Sequence, residues 1–140
     1  MQTPKKLVIL DRDGVINADS DEYIKSPAEW HPIPGSLEAI ARLNQNGYQV
    51  AIATNQMAIA RGLIDMRMLN AIHQKLHLSA LAVGAHVNAI FFCPHAVDDF
   101  CDCRKPRPGM LNAIGKRFGV SLKGVPMVGD ALRDMQAAFE

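Results

Sequence analysis

The chain carries almost no net charge: 15 Lys and Arg stand against 14 Asp and Glu, a formal +1. Its basic residues are scattered, whereas a nucleic-acid surface needs them clustered in a stripe, so no nucleic-acid partner is expected. No apolar run approaches the ~20 residues of a membrane span, and no membrane partner is expected either. Met1 to Lys6 is short and polar and lacks the apolar core and cleavage site of a leader; the expected compartment is the cytoplasm. Cysteine is also scarce. The three present are odd in number and fall within positions 93 to 103, which in a reducing compartment points to metal rather than to disulfides. Internal repeats, low-complexity tracts and linkers are absent. What is there is 140 residues, 49% of them hydrophobic, enough for one domain, 1–140, with a real core.

Leu7-Val8-Ile9-Leu10 is a continuous apolar run, the pattern of a strand buried on both faces. Ser36 reads as the N-cap of a helix with Leu37, Ile40 and Leu43 on its apolar stripe and Gly47 at its end. A second strand spans Tyr48 to Ala53. Asp65 caps a long helix whose stripe includes Leu69, Ile72, Leu76 and Val83. Further strands are expected over Ala89–Phe92 and Val125–Val128, with a helix between them that opens at Pro108, faces Leu111, Ile114 and Phe118 inward and closes at Gly119. A last helix is expected from about Ala131. Strands alternating with helices predict an α/β fold: a Rossmann-like parallel sheet flanked by helices, with no large cap domain.

The polar residues sit where such a sheet binds ligands. Asp11, Asp13, Thr54, Asn55, Cys93 and Asp130 all follow strand ends, and open α/β sheets bind ligands outside the carboxyl ends of their strands. In Asp11-Arg12-Asp13-Gly14 two carboxylates stand two residues apart beside a glycine that permits a tight turn. Close carboxylates repel, so they call for a cation or a shared proton. With oxygen donors the natural cation is Mg²⁺, and Asp130 would complete its site. For the tetrapeptide alone, a solvated turn is an equally good reading.

Cys93-Pro94-His95 and Cys101-Asp102-Cys103 offer three thiolates and an imidazole, a complete tetrahedral Zn²⁺ set. Four protein ligands leave no open position, so such a zinc would be structural and would stiffen the loop that delivers Arg104 and Lys105. Buried cysteines beside a surface histidine are the plainer alternative. His73 and His77, one helical turn apart, lack an evident third ligand and read as surface or half-buried histidines. Trp30 reads as packing for the loop after the first motif, and Met66, Met68 and Met110 as core filler.

Leu10-Asp11-Arg12-Asp13-Gly14-Val15 resembles the first motif of the haloacid dehalogenase superfamily of phosphatases. Thr54-Asn55 resembles the second, Lys105 the third, and Gly129-Asp130 with Asp134 the fourth, in the family's order and across nearly the whole chain. The resemblance implies that Asp11 is the nucleophile and Asp13 the general acid and base. It implies that Thr54 and Asn55 bind the transferring phosphoryl group and that Lys105 offsets negative charge. Mg²⁺ would be held by Asp11, the Asp13 carbonyl and Asp130, with Asp134 in support.

The Cys-x-His…Cys-x-Cys-Arg-Lys-Pro segment resembles the branch of that family that contains heptose bisphosphate phosphatases and histidinol phosphatases. Ile59-Ala60-Arg61-Gly62 and Arg107-Pro108-Gly109-Met110 favour the heptose side, with histidinol phosphate as the alternative substrate. The branch implies a small sugar-phosphate substrate and a monomer. A second phosphate needs cations: Arg104 first, for its bidentate fork, then Arg61 and Lys25, with Asp19 also near the substrate. The sequence departs from the family pattern at Met57-Ala58, where Ser-Gly is usual, and at Ala131, where Ser or Lys is commoner. It also stops at Glu140, where relatives continue through one more strand and helix, so a sheet edge is expected to be left exposed. These departures keep an inactive, zinc-stabilised phosphate-binding module in view. A phospho-receiver domain, which also combines acids, a Thr and a Lys, would need its Asp on a middle strand, and none ends there.

Overall fold

The computed structural model describes residues 6–20, 23–94, 105, 109–119 and 125–129, and of Met57 only the backbone. The elements are β1 (Lys6–Leu10), a 3-10 turn (Pro27–Glu29), α1 (Ser36–Gln45), β2 (Tyr48–Asn55), α2 (Met57–Ala60), α3 (Met66–Ala82), β3 (Ala89–Cys93), α4 (Gly109–Phe118) and β4 (Met127–Val128). The four strands form one parallel sheet in the order β3-β2-β1-β4. Val8 stands beside Val50 and Leu10 beside Ile52, while Ile9 and Leu10 meet Met127 and Val128 on the other side.

Side chains alternate across a strand, so one apolar run can serve two layers. Val8, Leu10, Val50 and Ile52 enter one buried cluster with Leu37 and Ile40 of α1 and Ile72 and Leu76 of α3. Leu7, Ile9, Ala51 and Ala53 enter the other, with Met110, Leu111, Ile114 and Phe118 of α4. Helices on both faces explain why these strands lack polar alternation. Trp30 is fully buried in the first cluster. Lys75 of α3 donates to the carbonyls of Pro27 (2.6 Å) and Trp30 (2.8 Å), which pins the turn that carries the indole.

Several local expectations need correction. Gly35, at φ +86°, is the N-cap of α1, and Ser36 is its first helical residue. The Ser36 hydroxyl instead donates to the Ile16 carbonyl at 2.6 Å and ties α1 to the loop after β1. Asp65 does cap α3, accepting from the Met68 amide at 2.8 Å. Val83 lies past the end of that helix and is exposed, as are Met66 and Met68 in its first turn. The apolar stripe reaches the sheet only between Leu69 and Ala80, so its two ends stand in solvent. Met110 is buried as expected. β4 has two residues rather than four: Met127 and Val128 pair with Ile9 and Leu10, and Pro126, whose carbonyl accepts from the Ile9 amide at 3.0 Å, has no N–H to extend the ladder. Pro108 and the helix expected from Ala131 lie outside the described residues.

The chain lays down β1, then β2, then β3 to one side, and returns to the other side of β1 for β4. That reversal makes the carboxyl end of β1 the topological switch point, where a crevice opens between diverging connections. Among the described residues, only the 3-10 turn interrupts the path from β1 to α1, and none of their helices is long and apolar enough to cross a membrane.

Candidate active site

A cavity of about 210 Å³ opens at this switch point. Asp11, Asp13, Asp19, Thr54, Asn55 and Lys105 line it, so six of the residues singled out from sequence converge although up to 94 positions separate them (105 − 11). Ser20, Tyr23, Ile24 and Gln56 complete the lining. The lining is mainly polar, as suits a phosphate ester rather than an apolar ligand.

Asp11 is buried, and its Oδ1 accepts from the Arg12 amide at 2.8 Å. Lys105 Nζ stands 3.4 Å from the same oxygen and is itself only 2% exposed. A buried ammonium facing a buried carboxylate is held there by charge, and together they present a negative oxygen beside a cation. Lys105 is also gripped through its backbone: its amide donates to Asn55 Oδ1 (3.1 Å), and Asn55 Nδ2 donates to its carbonyl (3.4 Å). In this arrangement the Asn55 amide positions Lys105 on the crevice wall, a use that its strand-end place did not reveal.

Asp13 follows in a tight turn. The Arg12 carbonyl accepts from the amides of Val15, Ile16 and Asn17, and Gly14 adopts φ +84°. Asp13 Oδ1 accepts from Arg12 Nε (2.8 Å) and Asn17 Nδ2 (2.9 Å), and Arg12 Nη2 stands 2.8 Å from it as an ion pair. Oδ2 accepts from Gln56 Nε2 at 3.3 Å. Gln56 also donates to Thr54 Oγ1 (2.8 Å) and accepts from Arg12 Nη2 (3.3 Å). Arg12 itself is fully buried, and its Nη1 lies 3.1 Å from His73 Nε2.

Sequence reasoning missed His73 as a participant. It lies on the same helical face as Leu69, Ile72, Leu76 and Ala80, all buried; a histidine inside an apolar stripe was the available signal. Burial first, then the positive charges of Arg12 and His77, lower its pKa to about 3, with Asp13 acting weakly in the opposite sense. The imidazole is therefore neutral at pH 7. A guanidinium only donates, so His73 Nε2 must accept and the ring proton sits on Nδ1. The unfolded chain binds a proton at His73 below about pH 6.5 whereas the folded chain does not. Stability is thus lost as pH falls from 6.5 toward 3, by roughly 2 kcal/mol at pH 5. Urea unfolding at pH 7.5 and pH 5 should show this loss in the wild type. His73→Gln, which keeps an acceptor but cannot titrate, should remove about that much of the difference.

Lys25 and Arg61 do not line the cavity. Lys25 Nζ lies 3.7 Å from Glu29 and 3.5 Å from the Tyr23 carbonyl, and the Arg61 guanidinium lies 5.8 Å from the centre of the Tyr23 ring. Both contact Tyr23, which lines the cavity and is the non-glycine residue at positive φ among the described residues (+67°). Arg104, Asp130, Asp134, His95, Cys101 and Cys103 lie outside the described residues. Of the expected zinc set, Cys93 is described, buried at the end of β3. Among the described residues no group of three or more His, Cys, Asp and Glu side chains gathers to hold a metal. Asp11 and Asp13, which line the cavity, offer oxygen donors, a chemistry that suits Mg²⁺ rather than a soft metal.

The chain belongs to the haloacid dehalogenase-like hydrolases, whose family pattern it matches over residues 5–140. Within that family it is 59% identical to the D-glycero-β-D-manno-heptose-1,7-bisphosphate 7-phosphatase of Bordetella bronchiseptica, over 96% of this chain and 75% of that one. It is 56% identical to the enzyme of the same name from Pseudomonas aeruginosa, over 96% and 75%. The crystal structure of the Bordetella bronchiseptica D,D-heptose 1,7-bisphosphate phosphatase, complexed with magnesium and phosphate, superposes with a TM-score of 0.93 over 94% of this chain and 74% of that one.

Proposed function

We propose that the chain is a Mg²⁺-dependent phosphatase that removes the 7-phosphate of D-glycero-D-manno-heptose 1,7-bisphosphate, in the synthesis of heptose for lipopolysaccharide precursors. The observation that carries this reading is the buried Asp11–Lys105 pair beside Asp13 in one polar cavity. The identity of 59% to a phosphatase named for that substrate supports the choice of sugar.

Asp11 attacks phosphorus and forms an acyl phosphate as the P–O bond to the sugar breaks. Asp13 gives its proton to the departing sugar oxygen. It then takes a proton from the water that attacks phosphorus, and inorganic phosphate leaves as Asp11 is restored. Lys105 offsets the charge gathered on Asp11 and the phosphoryl oxygens, and Thr54 and Asn55 border that group. Bound Mg²⁺, held by Asp11, the Asp13 carbonyl and Asp130, would add charge neutralisation at the phosphoryl oxygens, the main demand of this chemistry. Arg104, Lys25, Arg61 and Asp19 are the candidates for the rest of the sugar bisphosphate. Cys93, His95, Cys101 and Cys103 form the proposed structural Zn²⁺ site. The protein acts in the cytoplasm as a monomer.

The test is phosphate release with Mg²⁺ from the β-anomer of heptose 1,7-bisphosphate and from histidinol phosphate, side by side. Preference for the heptose ester is expected, with release abolished by a chelator that strips Mg²⁺. Preference for histidinol phosphate would overturn the substrate assignment. Absence of release from both by a folded sample would leave a phosphate-binding module. One zinc per chain by elemental analysis is expected, and none would remove the zinc site.

A further inference from the structure

Arg12 is fully buried, yet no mechanism step uses it. Its guanidinium is spent on three groups: Asp13 Oδ1 through Nε and Nη2, Gln56 Oε1 through Nη2, and His73 Nε2 through Nη1. We propose that His73 and Arg12 form a positioning relay that aims the acid/base carboxyl of Asp13 at the leaving oxygen. This inference rests on the role given to Asp13 above.

The relay follows from what each group can offer. A guanidinium is planar, so fixing Nη1 at one end fixes the direction of Nε and Nη2 at the other. His73 is well placed to fix it, because α3 is anchored by Ile72 and Leu76 in the core. Neutral His73 supplies direction without charge. A carboxylate in its place would divide the guanidinium's charge with Asp13 and slacken that contact. Gln56 closes the ring from the other side: it takes Nη2 at Oε1 and gives Nε2 to Asp13 Oδ2. Oδ1 already accepts two hydrogen bonds and pairs with the Arg12 charge at 2.8 Å. The transferable proton is therefore carried on Oδ2, whose orientation the ring defines. Proton transfer needs placement to a fraction of an ångström, which a carboxyl free to rotate does not supply.

The distinguishing readout is the leaving group. Departure of a sugar alkoxide requires a proton, whereas departure of p-nitrophenolate does not. Since kcat/KM reports only the steps up to leaving-group departure, it isolates the acid role. His73→Leu removes the acceptor for Nη1. It is expected to lower kcat/KM for heptose 1,7-bisphosphate by about 10- to 100-fold, a fraction of a full acid contribution. For p-nitrophenyl phosphate the same variant should lose less than about 3-fold, since no acid assistance is needed there. His73→Gln, whose side-chain oxygen can accept from Nη1, should restore most of the sugar activity. Should His73→Leu not fold, Arg12→Lys, which keeps the charge but lacks the fork, should show the same selective loss. Equal losses on both substrates, no loss on either, or failure of His73→Gln to recover would overturn the relay. A folded wild type inactive on both substrates would overturn the phosphatase reading and the relay with it. An active wild type whose substrate ratio ignores His73 would overturn the relay alone.

Discussion

Asp11→Asn is expected to lower phosphate release by on the order of 10⁵-fold or more while the protein stays folded. The size follows from the loss of the nucleophile, since groups that act as a unit fail together when the attacking atom is removed. The fold should survive because Asn is isosteric and its side-chain oxygen can still accept from the Arg12 amide, now 2.8 Å from Asp11 Oδ1. Lys105 would lose its carboxylate partner at 3.4 Å while nearly buried. A drop in unfolding free energy of about 1–3 kcal/mol should accompany the loss, as for other stranded polar groups. Phosphate release and urea unfolding on the same sample check both parts. A variant that retains more than a few per cent of the wild-type rate would mean that water attacks phosphorus directly and Asp11 is not the nucleophile.

Lys105→Met should cost about 10³-fold in kcat, with a smaller change in KM. A preorganised cation in a water-poor site acts most strongly on charge that develops in the transition state, and losing one such donor elsewhere costs about 10² to 10³. Lys105 meets the conditions for the upper end: it is 2% exposed and faces Asp11 directly. Methionine fills the volume of the aliphatic stem and isolates the charge. Asn55→Ala leaves the ammonium but releases the backbone grip at 3.1 and 3.4 Å, so its loss should fall between wild type and Lys105→Met. Steady-state kinetics on the three proteins resolves the order. If Asn55→Ala were the more damaged, Asn55 would be touching phosphate rather than holding Lys105.

Much of this site was legible before any coordinates. The apolar run at 7–10, the acid pair after it and the small polar residues that close the second strand are local patterns, and local patterns survive into the fold. The convergence of Asp11, Asp13, Thr54 and Asn55 followed from one rule of parallel sheets, whereas Lys105 was singled out by the family resemblance. The relay was not legible, since Arg12 and His73 are 61 positions apart. Whether they meet depends on how α3 packs in the core, where Ile72 and Leu76 share one buried cluster with Val8 and Leu10. The exposed ends of α3 were misjudged for a related reason. Periodicity marks an apolar face, but not how far the opposing sheet extends beneath it.

The sequence by itself determined the element order and the two-faced burial of the strands, which depend on periodicity or on neighbours a few positions away; the residues proposed for phosphoryl transfer came from the resemblance to the family. Only the tertiary structure decided what Asn55, Arg12, Gln56 and His73 do. Their partners come from other strands and helices, and an amide or a guanidinium carries no mark in sequence of which oxygen or nitrogen it will face. Burial completes the assignment: once α3 covers Arg12, each of its donors must find an acceptor inside the protein, and the nearest to Nη1 is a histidine kept neutral by that same burial.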